Sequence, residues 1–410
     1  MSDLDRGEKH PRLLSAAIAL ALTLTIQIYT ALAATAISVL APVVGRELSV
    51  APKLVGVYTG LVYAGAMAAS LAAGGFIDRY GPIRVSQACV LLCAAGLALM
   101  ATATTFPAVL IVTLVATPIV IGLGYGPITP ASSQILVRTT SSARMALTFS
   151  IKQTGVPGGA ALAGALLPVA ALSLGWHSAL LLLGAIGIVV AVASQIARAE
   201  LDAGRTVART FSMKSYFAPL RRIAKMPILL ELTVTGFVYA ALQVSLMSFL
   251  VIYLTESLGF SLVTAGLALT AANLGGIFGR IVWGAIADLY VPPRALLGMI
   301  GVAAGCCAWT TIAFGAAWPL ALIFLVCVVF GSTAIGWNGV QISEIARNAP
   351  AGEVGTIAGA AGSITFGGVM VGPPAFALVS ALTGGYRVGF AMFGTASLAC
   401  GAWLLARHKR

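Results

Sequence analysis

Of 410 residues, 59% are hydrophobic and 9% charged, and the mean hydropathy is +1.00. No soluble core absorbs that much apolar surface, so lipid has to be the main solvent, and the net charge of +12 must be read in that setting. Backbone polar groups in hydrocarbon need partners within their own segment or in a closed barrel, and the apolar runs here are continuous rather than alternating, which predicts helices.

The chain starts with a polar stretch, Met1 to Arg12, followed by an apolar one from Leu13 to Val44. That stretch is too long for a signal-peptide core and has no persuasive cleavage site, so it is expected to stay as a first span. A window of about twenty residues per crossing then sets twelve spans at 13–42, 53–74, 85–105, 108–136, 145–171, 176–198, 227–254, 262–285, 295–315, 318–345, 354–382 and 386–406. Cys89, Cys93, Cys306, Cys307, Cys327 and Cys400 all fall inside these apolar runs, where they read as small packing residues rather than disulfides or metal ligands. Neither a metal nor a cofactor is expected.

Orientation follows from the basic residues. With both termini cytoplasmic, the inner side receives Arg6, Lys9, Arg12, Arg79, Arg84, Arg138, Arg144, Arg198, Arg294, Arg347, Arg407, Lys409, Arg410 and the basic residues of the linker at 199–226. The outer side receives Arg46, Lys53 and Arg387, so the reverse topology would put the bias the wrong way round. The predicted setting is a bacterial inner membrane crossed many times, and the positive charge needs no nucleic acid partner, only topology and anionic lipid. The linker, with Arg205, Arg209, Lys214, Arg221, Arg222 and Lys225, separates a bundle at 1–198 from one at 227–410. A shift of 210 residues lays Gly74, Asp78 and Arg84 on Gly284, Asp288 and Arg294; a shift of 209 lays Arg138 on Arg347 and Gly158-Gly159 on Gly367-Gly368. Two halves of common descent account for this.

The segment Gly74-Gly75-Phe76-Ile77-Asp78-Arg79-Tyr80-Gly81-Pro82-Ile83-Arg84 resembles the loop signature of the major facilitator superfamily, and Gly284 to Arg294 is a degenerate copy with Leu289 in place of the first Arg. The resemblance covers essentially the whole chain. It implies an all-α membrane protein with twelve transmembrane helices in two pseudo-symmetric six-helix bundles around a central cavity, moving a small molecule by alternating access. It also implies gating roles for Gly74, Asp78, Arg79, Gly81, Arg84, Arg138, Asp288, Arg294 and Arg347, with Asp78 helping to latch the halves in an outward-open state, Arg138 near it and Asp288 near Arg347. In the fifth span Gly155, Gly159 and Ala163 share one face, which lets helices approach closely.

An ionisable group inside a span is costly and is usually kept because it lines a cavity or has a partner. Lys152 lies about seven residues into span five, roughly 10 Å deep, and Arg280 about five residues from the inner end of span eight, roughly 8 Å deep. In the superfamily those spans face each other across the junction of the halves. The in-span acids away from the loop signatures, Glu231 and Glu344, lie near the inner ends, and Glu344 is expected to pair with Arg347 three residues on. Two cations without central anions describe a cavity completed by an anionic ligand, so a carboxylate-bearing substrate is expected, carried by proton symport or anion exchange. Polar groups at mid-span are set to orient it: Gln27, Tyr29, Tyr125, Gln153, Tyr239, Gln243, Asn273, Trp337, Asn338 and Gln341. The alternative is proton-coupled drug efflux, suggested by a partial Gly-Pro-Gly-Gly-like stretch at Gly155–Gly159. Against it, span one has no Asp or Glu and span four shows Thr113 and Thr117 where the antiporter pattern has a buried Arg. No nucleophile-base set or phosphate loop appears and His10, His177 and His408 sit at span ends, so no enzyme is expected. Each chain is expected to work as a monomer.

Overall fold

The computed structural model describes residues 13–141, 144–202, 220–315, 317–350 and 353–408. Arg6, Lys9, Arg12, Arg205, Arg209, Lys214, Lys409 and Arg410, part of the basic pattern above, lie outside them. The described chain is helical throughout and supplies twelve helices long and apolar enough to cross a membrane. They are Ala16–Leu48, Pro52–Tyr80, Pro82–Met100, Pro107–Thr139, Leu147–Leu174, Trp176–Leu201, Pro227–Ser257, Leu262–Leu289, Pro293–Ile312, Leu320–Asn348, Thr356–Thr383 and Arg387–Arg407, called spans 1 to 12 here. Proline opens five of them, where its missing N–H costs no hydrogen bond. Several spans run past the limits set by charge: span 1 continues through Arg46 and Glu47 to Leu48, because helix formation does not stop where hydrocarbon does.

Within each half the same pairs pack: spans 1 and 5 match 7 and 11, spans 2 and 4 match 8 and 10, spans 3 and 6 match 9 and 12. The repeat extends to single contacts. A Cβ on Gly159 would overlap the Ile28 carbonyl and one on Gly368 the Phe237 carbonyl, while Gly122 meets Val62 as Gly331 meets Ala272. Small residues at these crossings let backbones touch, which is the main source of attraction between helices in lipid.

Across the halves, span 5 packs on span 8, span 2 on span 11 and span 1 on span 7. Gly164 and Gly266 face each other backbone to backbone, Thr270 donates to the Ala161 carbonyl at 2.9 Å, and Ser248 donates to Thr59 at 3.3 Å. These contacts lie toward the face that carries Arg46, Lys53 and Arg387. Toward the other, basic face, the end segments Ile128–Thr139, Met145–Gln153 and Asn338–Asn348 pack chiefly within their own half. Among the described residues the packing between the halves is thus concentrated away from the basic face, and the junction of the halves on the basic side is called the cleft here.

Each half is tied at its basic end by a buried carboxylate. Asp202, at the end of span 6, accepts from the backbone N–H of Ile83 at 2.7 Å and of Arg84 at 3.3 Å, capping the start of span 3. It fills the space above Gly81, whose φ of 94° already excludes most side chains. In the second half Glu231, 3% exposed, is clamped by Arg294 of span 9 and by Arg407 of span 12, the latter at 2.6 Å. Removing one member of a buried pair strands the other, at a cost of about 3–5 kcal/mol. Glu231→Gln is accordingly expected to lower the thermal midpoint of the purified protein in detergent by several degrees; an unchanged midpoint would show that the clamp carries no stability.

Candidate functional site

Three spans are interrupted where they line the cleft. Span 4 breaks between Tyr125 and Ile128, because Pro130 has no N–H to offer the Gly126 carbonyl four residues earlier. Span 5 breaks at Thr154, where Pro157 deprives the Gln153 carbonyl in the same way. Span 10 breaks between Ala334 and Asn338. Backbone freed inside a membrane is tolerated only where something else satisfies it, and here side chains do. Ser70 donates to the Gly126 carbonyl at 2.8 Å. Arg280 donates through Nη1 to the Gln153 carbonyl at 2.8 Å and through Nε to the Ile335 carbonyl at 3.3 Å. One guanidinium thus spans both halves and joins two helix breaks.

Lys152, buried on the cleft side of the span 5 break, donates from Nζ to the Thr129 hydroxyl at 3.5 Å, in the first turn after the span 4 break. Lys152 and Arg280 lie within electrostatic reach of each other, and Tyr125 within reach of Arg280. Neither cation belongs to an ion pair among the described residues. The Tyr125 ring meets Tyr63 edge-on at 5.9 Å, and Tyr63 meets Phe366 of the other half at 5.8 Å. Opposite, the Gln243 Oε1 accepts from Trp337 Nε1 and Asn338 Nδ2, each at 3.2 Å, which fixes the span 10 break against span 7. Asn273 is fully buried two helical turns from Arg280 on the same face of span 8; its Nδ2 donates to its own Leu269 carbonyl and its Oδ1 has no hydrogen-bond partner. Among the described residues no group of His, Cys, Asp and Glu is placed to hold a metal.

The break region thus gathers Lys152, Arg280, Tyr125, Gln153, Gln243, Trp337 and Asn338, with Asn273 deeper in span 8. Other expected ligand contacts point elsewhere. Tyr29 presses its hydroxyl on Gly187 of span 6, and Tyr239, 210 residues later, donates to the Leu297 carbonyl of span 9 at 3.0 Å, so both brace the back of their own half. Gln341 donates to the Leu232 carbonyl at 2.8 Å and joins span 10 to span 7. Gln27 packs on Gly155 at the seam of spans 1 and 5, with its Oε1 buried and unpartnered. Helical periodicity fixes depth along a span, but not which neighbour a side chain meets.

Among the residues expected to gate, Asp78 accepts from Gln134 of span 4 at 3.4 Å, one turn before Arg138. Asp288 and Arg347 lie 3.6 Å apart, as the repeat predicts. Arg79 lies over the Tyr80 ring, Gly74 faces open space, and Arg294 is held in the Glu231 clamp. Glu344 takes Asn348 as its partner at 3.1 Å rather than Arg347, because Asp288 has taken that arginine. Three residues escaped sequence reasoning: Thr129, Asp202 and Ser70. Only Ser70 carried a signal, since the 210-residue shift lays it on Arg280.

Twelve spans in two matched sets, three of them broken at the junction of the halves, form the architecture of a membrane transporter. The sequence pattern of the Major Facilitator Superfamily matches residues 23–373, and the chain belongs to that family. Similar solved structures include the peptide transporter POT in complex with sulfate, with 18% identity, 99% of this chain and 96% of that one covered, and a TM-score of 0.73. A POT family transporter in complex with 5-aminolevulinic acid has 14% identity, coverage of 98% and 97%, and a TM-score of 0.75. A bacterial homolog to the human lysosomal transporter Spinster, in an inward-facing and occupied conformation, has 18% identity, coverage of 98% and 96%, and a TM-score of 0.70. Such identities establish the shared fold alone. No curated protein sequence matches the chain.

Proposed function

We propose that this protein carries a small organic anion, most simply a carboxylate, across a bacterial inner membrane by alternating access, through proton symport or anion exchange. The observation that carries the reading is the pair Lys152 and Arg280, both set at the cleft and neither in an ion pair among the described residues. A carboxylate arriving there supplies the missing counter-charge, and a guanidinium with two of its donors engaged still has others for it. Tyr125, Gln153, Gln243, Asn273, Trp337 and Asn338 form the polar lining of the proposed site. Sulfate and 5-aminolevulinic acid in two similar solved structures are compatible with an anionic cargo.

The basic face is assigned to the cytoplasm by its excess of Lys and Arg, with both termini there, so the cleft opens inward. Bundles 1–198 and 227–410 rock about the cleft, joined by 199–226, and the chain works as a monomer. When the basic face closes, Asp78, Arg79, Arg84, Arg138, Asp288 and Arg347 and the Gly74 and Gly81 turns come together across it. The test is uptake into proteoliposomes from a panel of carboxylates and cationic drugs, with and without a pH gradient. Accumulation of at least one carboxylate and of no cation is expected; transport confined to cations would overturn the reading.

A further inference from the structure

Arg84 stands at the basic-face start of span 3, exposed, and its side chain has no hydrogen-bond or ion-pair partner among the described residues. It lines two separate hollows. One, about 570 Å³, runs between spans 2, 3 and 4 and is walled by Ala68, Ala72, Phe76, Leu92 and Leu123. The other, about 440 Å³, runs between spans 3 and 6 along Ala88, Leu91, Val192 and Gln195. Both flank a membrane-facing helix, and their walls are predominantly apolar.

The residues at the matching place in the second half differ. The residues 210 positions after Ala68 and Ala72 are Phe278 and Val282, bulky where the first half is small. Arg294, which matches Arg84, is consumed by Glu231, whose own counterpart in the first half is Ala21. The repeat thus offers a built-in comparison: same scaffold, one arginine neutralised by protein and one left for something else, with two grooves beside the free one.

We infer that the cleft-remote side of span 3 is a binding site for an anionic phospholipid, its phosphate on Arg84 and its acyl chains in the two grooves. Charge complementarity selects the headgroup, the alanines of span 2 make room for a chain, and the site lies where a headgroup meets the end of a span. The proposal is independent of what the transporter carries.

Native mass spectrometry of the full-length protein in detergent, titrated with phosphatidylglycerol or with phosphatidylcholine of the same chains, tests it. Wild-type protein is expected to prefer phosphatidylglycerol about five-fold, the factor that one interfacial basic residue supplies. Arg84→Gln should abolish that preference, and Ala72→Leu, which fills a groove and keeps the arginine, should weaken binding of both lipids. Lys225→Gln, which removes an exposed basic-face charge away from the grooves, should leave the preference intact. Equal preference in wild type and Arg84→Gln, an equal loss in Lys225→Gln, or displacement of the lipid by free glycerol phosphate would each overturn the proposal. Monodispersity of every variant separates these outcomes from misfolding.

Discussion

Replacing Lys152 with Gln is expected to reduce carboxylate uptake by about 10- to 100-fold, the worth of one hydrogen bond to a charged group. Arg280→Gln should cost more. Its loss removes the anion contact and also leaves the Gln153 and Ile335 carbonyls without a charged donor at the two helix breaks. Arg280→Lys should rescue little, because a single ammonium cannot reproduce the planar fork that reaches carbonyls on two spans and an anion besides. The measurement is initial uptake rate together with ligand-induced thermal stabilisation of the same preparations. If both Gln variants transport carboxylates at wild-type rates, the cations do not bind the cargo and the anion reading fails.

Gly164→Val is expected to shift the conformational balance of the carrier. A Cβ there would overlap the Gly266 carbonyl, and a Cβ on Gly266 the Gly164 carbonyl, so backbone meets backbone and no rotamer change relieves the clash. The contact joins the two halves away from the basic face, so the conformation described here loses stability while a conformation open on the opposite face does not. Overpacking of this kind costs about 1–3 kcal/mol, enough to move a two-state balance by roughly ten- to a hundred-fold. Distances between spin labels on spans 5 and 8 at that face should lengthen, and turnover should fall at least about ten-fold by the same population arithmetic. Gly159→Val is the contrast: its clash is with Ile28 inside one half, so it should lower thermal stability without moving those distances. Unchanged distances in Gly164→Val would mean that this seam does not separate during the cycle.

The fold was legible because its signals are thermodynamic and additive over many residues. Twelve apolar stretches, a basic bias on alternate loops and glycines recurring at 209 or 210 residues require no knowledge of neighbours. The candidate site was legible at its charges, since Lys152 and Arg280 are too costly in lipid to be incidental. Its neutral members were less so. Tyr29 and Tyr239 share the depth of the cleft but point to spans 6 and 9, which depends on helix rotation and crossing angle. Asp202 lies among basic residues in sequence, and only the return of span 6 to the Gly81 turn reveals it as a cap. Glu344 obeyed helical spacing and still lost Arg347 to Asp288, a residue 59 positions earlier in sequence.

Ser70 and Arg280 occupy the same place in the two halves and perform the same service for a broken neighbour, one with a hydroxyl and the other with a guanidinium. For the bond within its own half the scaffold therefore requires only a donor at either position; the reach of Arg280 to the Gln153 carbonyl has no counterpart at Ser70. Descendants of such a duplicated chain are free to relocate the positive centre from one bundle to its twin, or to discard it, by exchanging two side chains. Cargo preference can in this way drift while the bent helices around it stay in register.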